Sequence, residues 1–431
     1  MIRVAQFPDL HYGPKNLAEA DRCFTYAVDQ AIAMQVDAVV VSGDATDHAL
    51  DVHSPSFDRL ARNIRRLANY CPILMLQGTF SHEPPGTLSI FRLLGGHYPV
   101  HVADQIGQVA LMPNGEWIRS QEWCFDDIPD GARALFSCVP TVNKAVVAAT
   151  VGASDAAIAV GEQLGLLLRG FGRTNKAASA RGIPTIGVSH GTVQGCITEH
   201  DVPMAGFDHE FTTKALFDSE ARAFMLGHIH RHQCWKSEGQ LIAYPGSIGC
   251  FHYGEHGKKG FLLWQVGAEA VSCELHPTPA RRTVDITFSG KPDMEVIRSA
   301  VASNDLEGAS VRVRWNIPEE DRHEVDRDAI ERLLAGAAEV KLDGRILPVV
   351  RARAAGIARS NSVGDKVGVW ARTVEAEAAP LMACLQLLQS QSVEDITERI
   401  LDRQCLLDTE DTVEAVAVPL SETSPLLAVD P

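Results

Sequence analysis

The chain contains no run of about 18 apolar residues, so no segment has the makings of a bilayer-spanning helix. Its 10 cysteines are scattered from Cys23 to Cys405 without a CxxC pair. That spacing offers neither a thiolate zinc site nor a disulfide framework, and the usage fits a reducing, cytoplasmic compartment. The start, "MIRVAQFPDLHYG", lacks the charged, apolar and small-residue zones of a signal peptide and reads as a strand entering a loop. Positive charge is also scarce: 39 Lys and Arg stand against 55 Asp and Glu, a net charge of −16. Nucleic-acid binding through overall charge is therefore disfavoured. Local basic stretches remain at "RLARNIRR" (59–66), "RGFGRTNKAASAR" (169–181) and the arginines between Arg345 and Arg372. None of them decides the function.

What is present is an alternation of strand-like and helix-like segments over 431 residues, enough for two or three domains. "IRVAQF" (2–7), "DAVVVSG" (37–43), "PILMLQG" (72–78), "ARALFSCVP" (132–140), "PTIGVSHG" (184–191), "RAFMLGHI" (222–229) and "LIAYPGS" (241–247) read as buried strands. Helical apolar spacing occupies 17–34, 56–69 and 155–169 between some of them. The pattern predicts a layered α/β domain over 1–280, its β-sheets flanked by helices. The texture changes at "HPTPARRTVDITFSG" (276–290), where prolines and an arginine pair precede a fresh start. Strand-like 310–317, a helix at 319–335 and strand-like 346–354 predict a smaller α+β domain over 281–358. Residues 359–431 are helix-prone, with Ser392 placed to cap a helix, and the last residues read as frayed. There is no internal repeat.

Five predicted strand ends finish in groups that bind metals. "FPDLHYG" offers Asp9 and His11; "VVSGDATDH" offers Asp44, with Asp47 and His48 behind it. "LQGTFSHEPPG" offers Ser81, His82 and Glu83, "GVSHG" offers His190, and "LGHIHRH" offers His228 and His230. In an α/β sheet, groups just past the carboxyl ends of strands converge on one crevice. Imidazole with carboxylate suits borderline divalent ions such as manganese, iron or zinc. This many ligands exceeds one ion's needs but fits two ions about 3.5–4 Å apart sharing a carboxylate.

In order and placement, "DLH", "GDATD", "SHG" and "GHIH" resemble the motifs of the calcineurin-like metallophosphoesterases: D-x-H, G-D-x-x-D, G-N-H-[DE], a lone His, and G-H-x-H. "AYPGSIGCFHYGEHGKKGFLLWQV" (243–266) narrows the likeness to SbcD-like nucleases, the DNA-break processing subunits. The resemblance implies a capping domain at 281–358 and a C-terminal helical segment that docks on an SbcC-type coiled-coil ATPase. It further implies DNA as substrate, a homodimer, and two divalent ions, manganese with iron, zinc or magnesium as alternatives. Carried onto this chain, it gives one ion to Asp9, His11, Asp44 and His230, with Asp44 bridging to a second ion held by His190 and His228. His82 takes the place of the acid that protonates the leaving oxygen, a task suited to an imidazole. Asp47 and Glu83 would orient ligands from behind, and His232 is loop decoration.

The chain departs from the pattern at one motif. "GTFSHE" stands where G-N-H-[DE] belongs, so the metal-binding asparagine is missing. Ser81, Thr79, a backbone carbonyl or water would complete the second ion's shell, and that ion is expected to bind more weakly. Alternatives to the nuclease reading are a phosphoesterase for small phosphoesters or phosphoproteins, and a catalytically weak scaffold subunit. His53, His97, His101, His200, His209 and His252 have no place in the motifs and read as surface or packing histidines, as Tyr12 and Phe80 read as packing.

Overall fold

Alternation within the strands decides the layering. In Ile2–Phe7, Ile2 and Val4 face one core while Ala5 and Phe7 face another. Ala38–Val41 and Ile73–Leu76 split the same way, Ala38, Val40, Leu74 and Leu76 against Val39, Val41, Ile73 and Met75. This is the period-2 consequence of a pleated strand buried on both faces. The computed structural model describes residues 1–142, 153–203, 210–303, 306–348 and 357–407; of the predicted features, His209, most of the strand over 346–354 and the extreme C-terminus lie outside them.

Two sheets result. The first has six strands in the order Val271–Pro277, Gly260–Val266, Ile2–Phe7, Ala38–Val41, Ile73–Leu76 and Val100–Ala103, its last four parallel. The second has seven, with Gln240–Tyr244, Ala223–Gly227, Thr185–His190 and Ala134–Val139 running parallel at its centre. The sheets share one apolar core, where Val4, Val40 and Leu74 of the first meet Phe136, Val188 and Met225 of the second, together with Trp264. Helices Leu17–Ala33 and Pro55–Ala68 cover the outer face of the first sheet, and helix Ala153–Ala180 covers that of the second. The architecture is a mixed α/β sandwich with β-sheets at the centre and helices outside, as the alternation predicted.

Two of the basic stretches are spent on local pairing. Arg59, Arg62 and Arg66 meet Asp21, Asp58 and Asp29, while Arg169, Lys176 and Arg181 meet Asp218, Glu220 and Asp130.

The chain separates into two compact units, Met1–Leu347 and Pro348–Pro431. Within the first, strands Thr283–Phe288, Ser310–Pro318 and Glu339–Leu347 form a small parallel sheet, backed by helices Met294–Ser303 and Arg327–Leu333 around its own core. The third strand begins at Glu339, not at 346, because parallel register with Ser310–Pro318 pairs Glu339 with Ser310. The helix expected over 319–335 is divided: Glu319–Glu324 makes a tight turn, and Asp326 then caps Arg327–Leu333 through Ala329 N. The second unit contains helices Val363–Thr373, Ala378–Ser390 and Val393–Leu407, the last capped by Ser392. Among the described residues no helix is long and apolar enough to cross a membrane.

Candidate metal centre

The chain assembles the centre from both sheets. Asp9 and His11 follow Ile2–Phe7, Asp44 follows Ala38–Val41, and the 77–83 loop follows Ile73–Leu76, all in the first sheet. His190 ends Thr185–His190, and His228 and His230 follow Ala223–Gly227, in the second. Asp9, His11, Asp44 and His228 all have positive φ, between 26° and 101°. Such backbone costs about 1–3 kcal/mol per non-glycine residue and persists where the surroundings impose it. Glycines make the approach possible. A methyl group on Gly78 would lie 2.2 Å from Asp44 Oδ1, and one on Gly43 2.2 Å from His190 Nδ1. That contact is the physical reason for glycine before the ligand in "GD" and "GTFSH".

Two groups of ligand atoms, each within 4.8 Å, form: Asp9, His11 and His230; and Asp44, His190 and His228. A third group joins His11, Asp44 and His82, which links the first two. The imidazoles are oriented. His11 Nε2 and His230 Nε2 face each other at 3.0 Å, while their Nδ1 atoms turn towards Asp47, at 3.7 Å, and Glu255, at 3.9 Å. Both Nδ1 atoms are buried without a hydrogen-bond partner. His190 Nδ1 donates to the Ser42 carbonyl at 2.9 Å, which aims Nε2 at the centre, 3.2 Å from Asp44 Oδ2. Asp9 accepts from His228 N at 2.9 Å.

Facing imidazole nitrogens and buried carboxylates without a lysine or arginine among them form a donor set that a divalent cation satisfies. The electrostatics agree. Burial pushes the Asp9 carboxyl up to about 6, and burial holds His11 well below the ordinary imidazole range. At Asp44, burial is outweighed by His190 and His82, which hold its carboxyl well below the carboxylate range. His190 is the mirror case: burial opposes its charge, but Asp44 carries it up to about 10.

Around this pair, Glu83 is fully buried and accepts from Ala45 N at 2.5 Å and Gly78 N at 2.6 Å, clamping the two loops that carry Asp44 and Thr79. Burial lifts its carboxyl to about 7. Asp47 backs His11 and also approaches His48. His82 is half-exposed, with Nδ1 2.8 Å from Asp44 Oδ2, and that hydrogen bond raises its pKa above the usual imidazole value.

At the altered motif it is Thr79 that faces Asp44 and His190. Its amide donates to Asp44 Oδ1 at 2.6 Å, and its hydroxyl lies 3.2 Å from both Asp44 Oδ2 and His190 Nε2. Ser81 is solvent-exposed, because the turn over 79–83 faces it outward. His252 is the residue that motif matching missed. It stacks on His230 at 6.0 Å and joins Glu255 beside it, yet its only sequence signal is its place in the "CFHYGE" segment. His232 Nδ1 meets the Tyr244 carbonyl at 2.7 Å, apart from the centre, and Tyr12 is buried in packing.

No protein-family model matches the chain. It is similar to the uncharacterized metallophosphoesterase YhaO of Bacillus subtilis (strain 168), with 26% identity over 255 residues, covering 58% of this chain and 50% of the relative. The chain thus spans about half the length of that curated relative. Among solved structures, a dimetal phosphatase from Danio rerio gives a TM-score of 0.39 at 11% identity, over 64% of this chain and 98% of that one. GAP50, the anchor in the inner membrane complex of Plasmodium, gives 0.38 at 11% identity, over 66% and 91%.

Proposed function

We propose that this chain is a two-metal phosphodiesterase that hydrolyses DNA, the nuclease subunit of an SbcCD-type complex, working with manganese. The observation that carries the chemistry is the pair of three-ligand groups, Asp9, His11 and His230 and Asp44, His190 and His228, joined by a third made of His11, Asp44 and His82. When bound, two divalent cations supply Lewis-acid activation of a phosphate ester. The chain's own residues do the rest. Asp44 accepts from His82 Nδ1 at 2.8 Å, which holds the ring and favours its protonated form. The half-exposed ring then carries its second proton outward, where a leaving oxygen collects it. Glu83 and Thr79 keep Asp44 in place.

The substrate reading draws support from the ordered motifs and from the additional three-stranded sheet, which a small-phosphoester site does not need. An ATPase partner draws support from the second unit, whose helices leave Leu388, Val393, Ile400 and Leu401 exposed. A homodimer belongs to the same reading.

The test is cleavage of linear DNA by the purified chain with manganese, alone and with an SbcC-type ATPase. His82→Ala should lower kcat by about 10²–10⁴-fold while metal content is retained. Cleavage of small diesters without DNA cleavage would transfer the reading to small phosphoesters, and the absence of both would leave a scaffold subunit.

A further inference from the structure

A cavity of about 1060 Å³ opens where the 251–256 segment meets the small three-stranded sheet. Strand alternation explains its lining. Val311, Val313, Trp315 and Ile317 point into the small core, so Arg312 and Arg314 point to the opposite face. Parallel register then sets Lys341 beside Arg312 on one side and Asp285 on the other.

The charges do not balance. Asp285 takes Arg312, at 2.9 and 3.1 Å, and Arg314, at 2.6 Å, and Asp343, opposite Arg314 in the register, is the second carboxylate of this face, so three cations meet two acids. Among the described residues Lys341 has no acidic partner, and Arg314 Nε is buried without a hydrogen-bond acceptor. Glu255, also at the lining, is buried and its charge is held by Lys259. Tyr253 seats the Arg312 guanidinium over its ring at 4.9 Å. The wall shared with the metal centre is short: His252 stacks on His230, and Phe251 packs on His11 at 5.4 Å.

We propose that this cleft is a subsite for the phosphodiester backbone of a nucleic-acid strand, with Arg314 and Lys341 holding a phosphate beyond the one at the metal centre. Asp285 keeps the guanidiniums facing the cleft, and Arg is suited to such forked phosphate contacts. A monoester or a small aryl diester has no second phosphate to place there. The subsite therefore selects for chain length, and it rests on the nuclease reading above.

The experiment is anisotropy titration of a labelled phosphorothioate oligonucleotide, which resists cleavage, with the full chain over a range of salt concentrations. Lys341→Glu and Arg314→Gln should each raise Kd several-fold. Each should also lower the slope of log K against log salt by about 0.7, the loss of one single-strand phosphate contact. On a cleavable oligonucleotide KM should rise more than kcat falls. Lys176→Ala, a charge removed from helix Ala153–Ala180, should leave the slope unchanged. Thermal melts identify any variant that fails to fold, and the other then stands in for it. Variant Kd and slope equal to those of the parent chain, or no oligonucleotide binding by the parent, would overturn the subsite. Absence of DNA cleavage with these binding shifts intact would overturn the nuclease reading alone.

Discussion

The two halves of the metal centre are built to different standards. In the first, Asp9, His11 and His230 are all buried, and each imidazole has a carboxylate behind it, Asp47 or Glu255. In the second, His190 is backed by a neutral carbonyl, His228 is only partly buried, and Thr79 supplies a hydroxyl where the resembling family has an amide. Asp47 and Glu255 stand 3.7 and 3.9 Å from the Nδ1 atoms, beyond hydrogen-bond reach, and favour a cation in the first half by their negative charge, which the Ser42 carbonyl behind His190 lacks. A hydroxyl is also a poorer neutral ligand than an amide oxygen. The first half is therefore the tighter binder, and the second should fill only at higher metal concentration.

The largest effect should come from Asp44, which belongs to the second group and to the one that links it to the first. Asp44→Asn should take phosphoesterase activity to background and lower the metal content measured by elemental analysis, because it loosens Thr79, His82 and His190 together. If each half still bound its ion in that variant, the halves would be independent. Next in size, Thr79→Ala should weaken the second ion about 10–100-fold, the usual cost of losing an outer partner, and Thr79→Asn should strengthen it. Calorimetric metal titration reads both changes, and equal affinities for the three proteins would remove the asymmetry.

The smallest effect concerns Glu255, behind His230. Burial alone would raise its carboxyl, but His230 and Lys259 outweigh burial and hold it well below its unfolded value of 4.5. A depressed carboxyl contributes stability that is present above its unfolded value and lost as pH falls below it. Glu255→Gln should therefore flatten the acid side of a stability–pH profile below about pH 4.5, while neutral-pH melting changes less. An unchanged acid limb would show that Glu255 gains nothing from His230 and Lys259.

Much of this was legible in the chain. Short β-branched runs ending in Asp or His mark buried strands, and the pleat dictates that their ends lie near one another if the strands are neighbours. Asp9, His11, Asp44, His190, His228 and His230 could be nominated on that ground, and the structure brings them into two adjoining groups. The choice of Thr79 over Ser81 could not be made, since it depends on how the 79–83 turn is clamped by Glu83. His252 and Glu255 escaped because they reach the centre from a loop with no strand periodicity. Arg312 and Arg314 were hidden in a different way: "VRVRW" shows the alternation, but not what the outward face would meet.

Local sequence by itself determined the α/β layering, the cap at Ser392, and the donor types available at each strand end, since these depend on neighbours a few residues away. Tertiary structure alone decided that the five strand ends come from two sheets, that Nε2 and not Nδ1 of His11 and His230 faces the centre, and that a cationic face lines a cleft beside it. Those outcomes are set by contacts between residues up to about 220 positions apart, such as His11 with His230. No local pattern encodes them, because the pairing of distant surfaces is chosen by the burial of the whole sandwich.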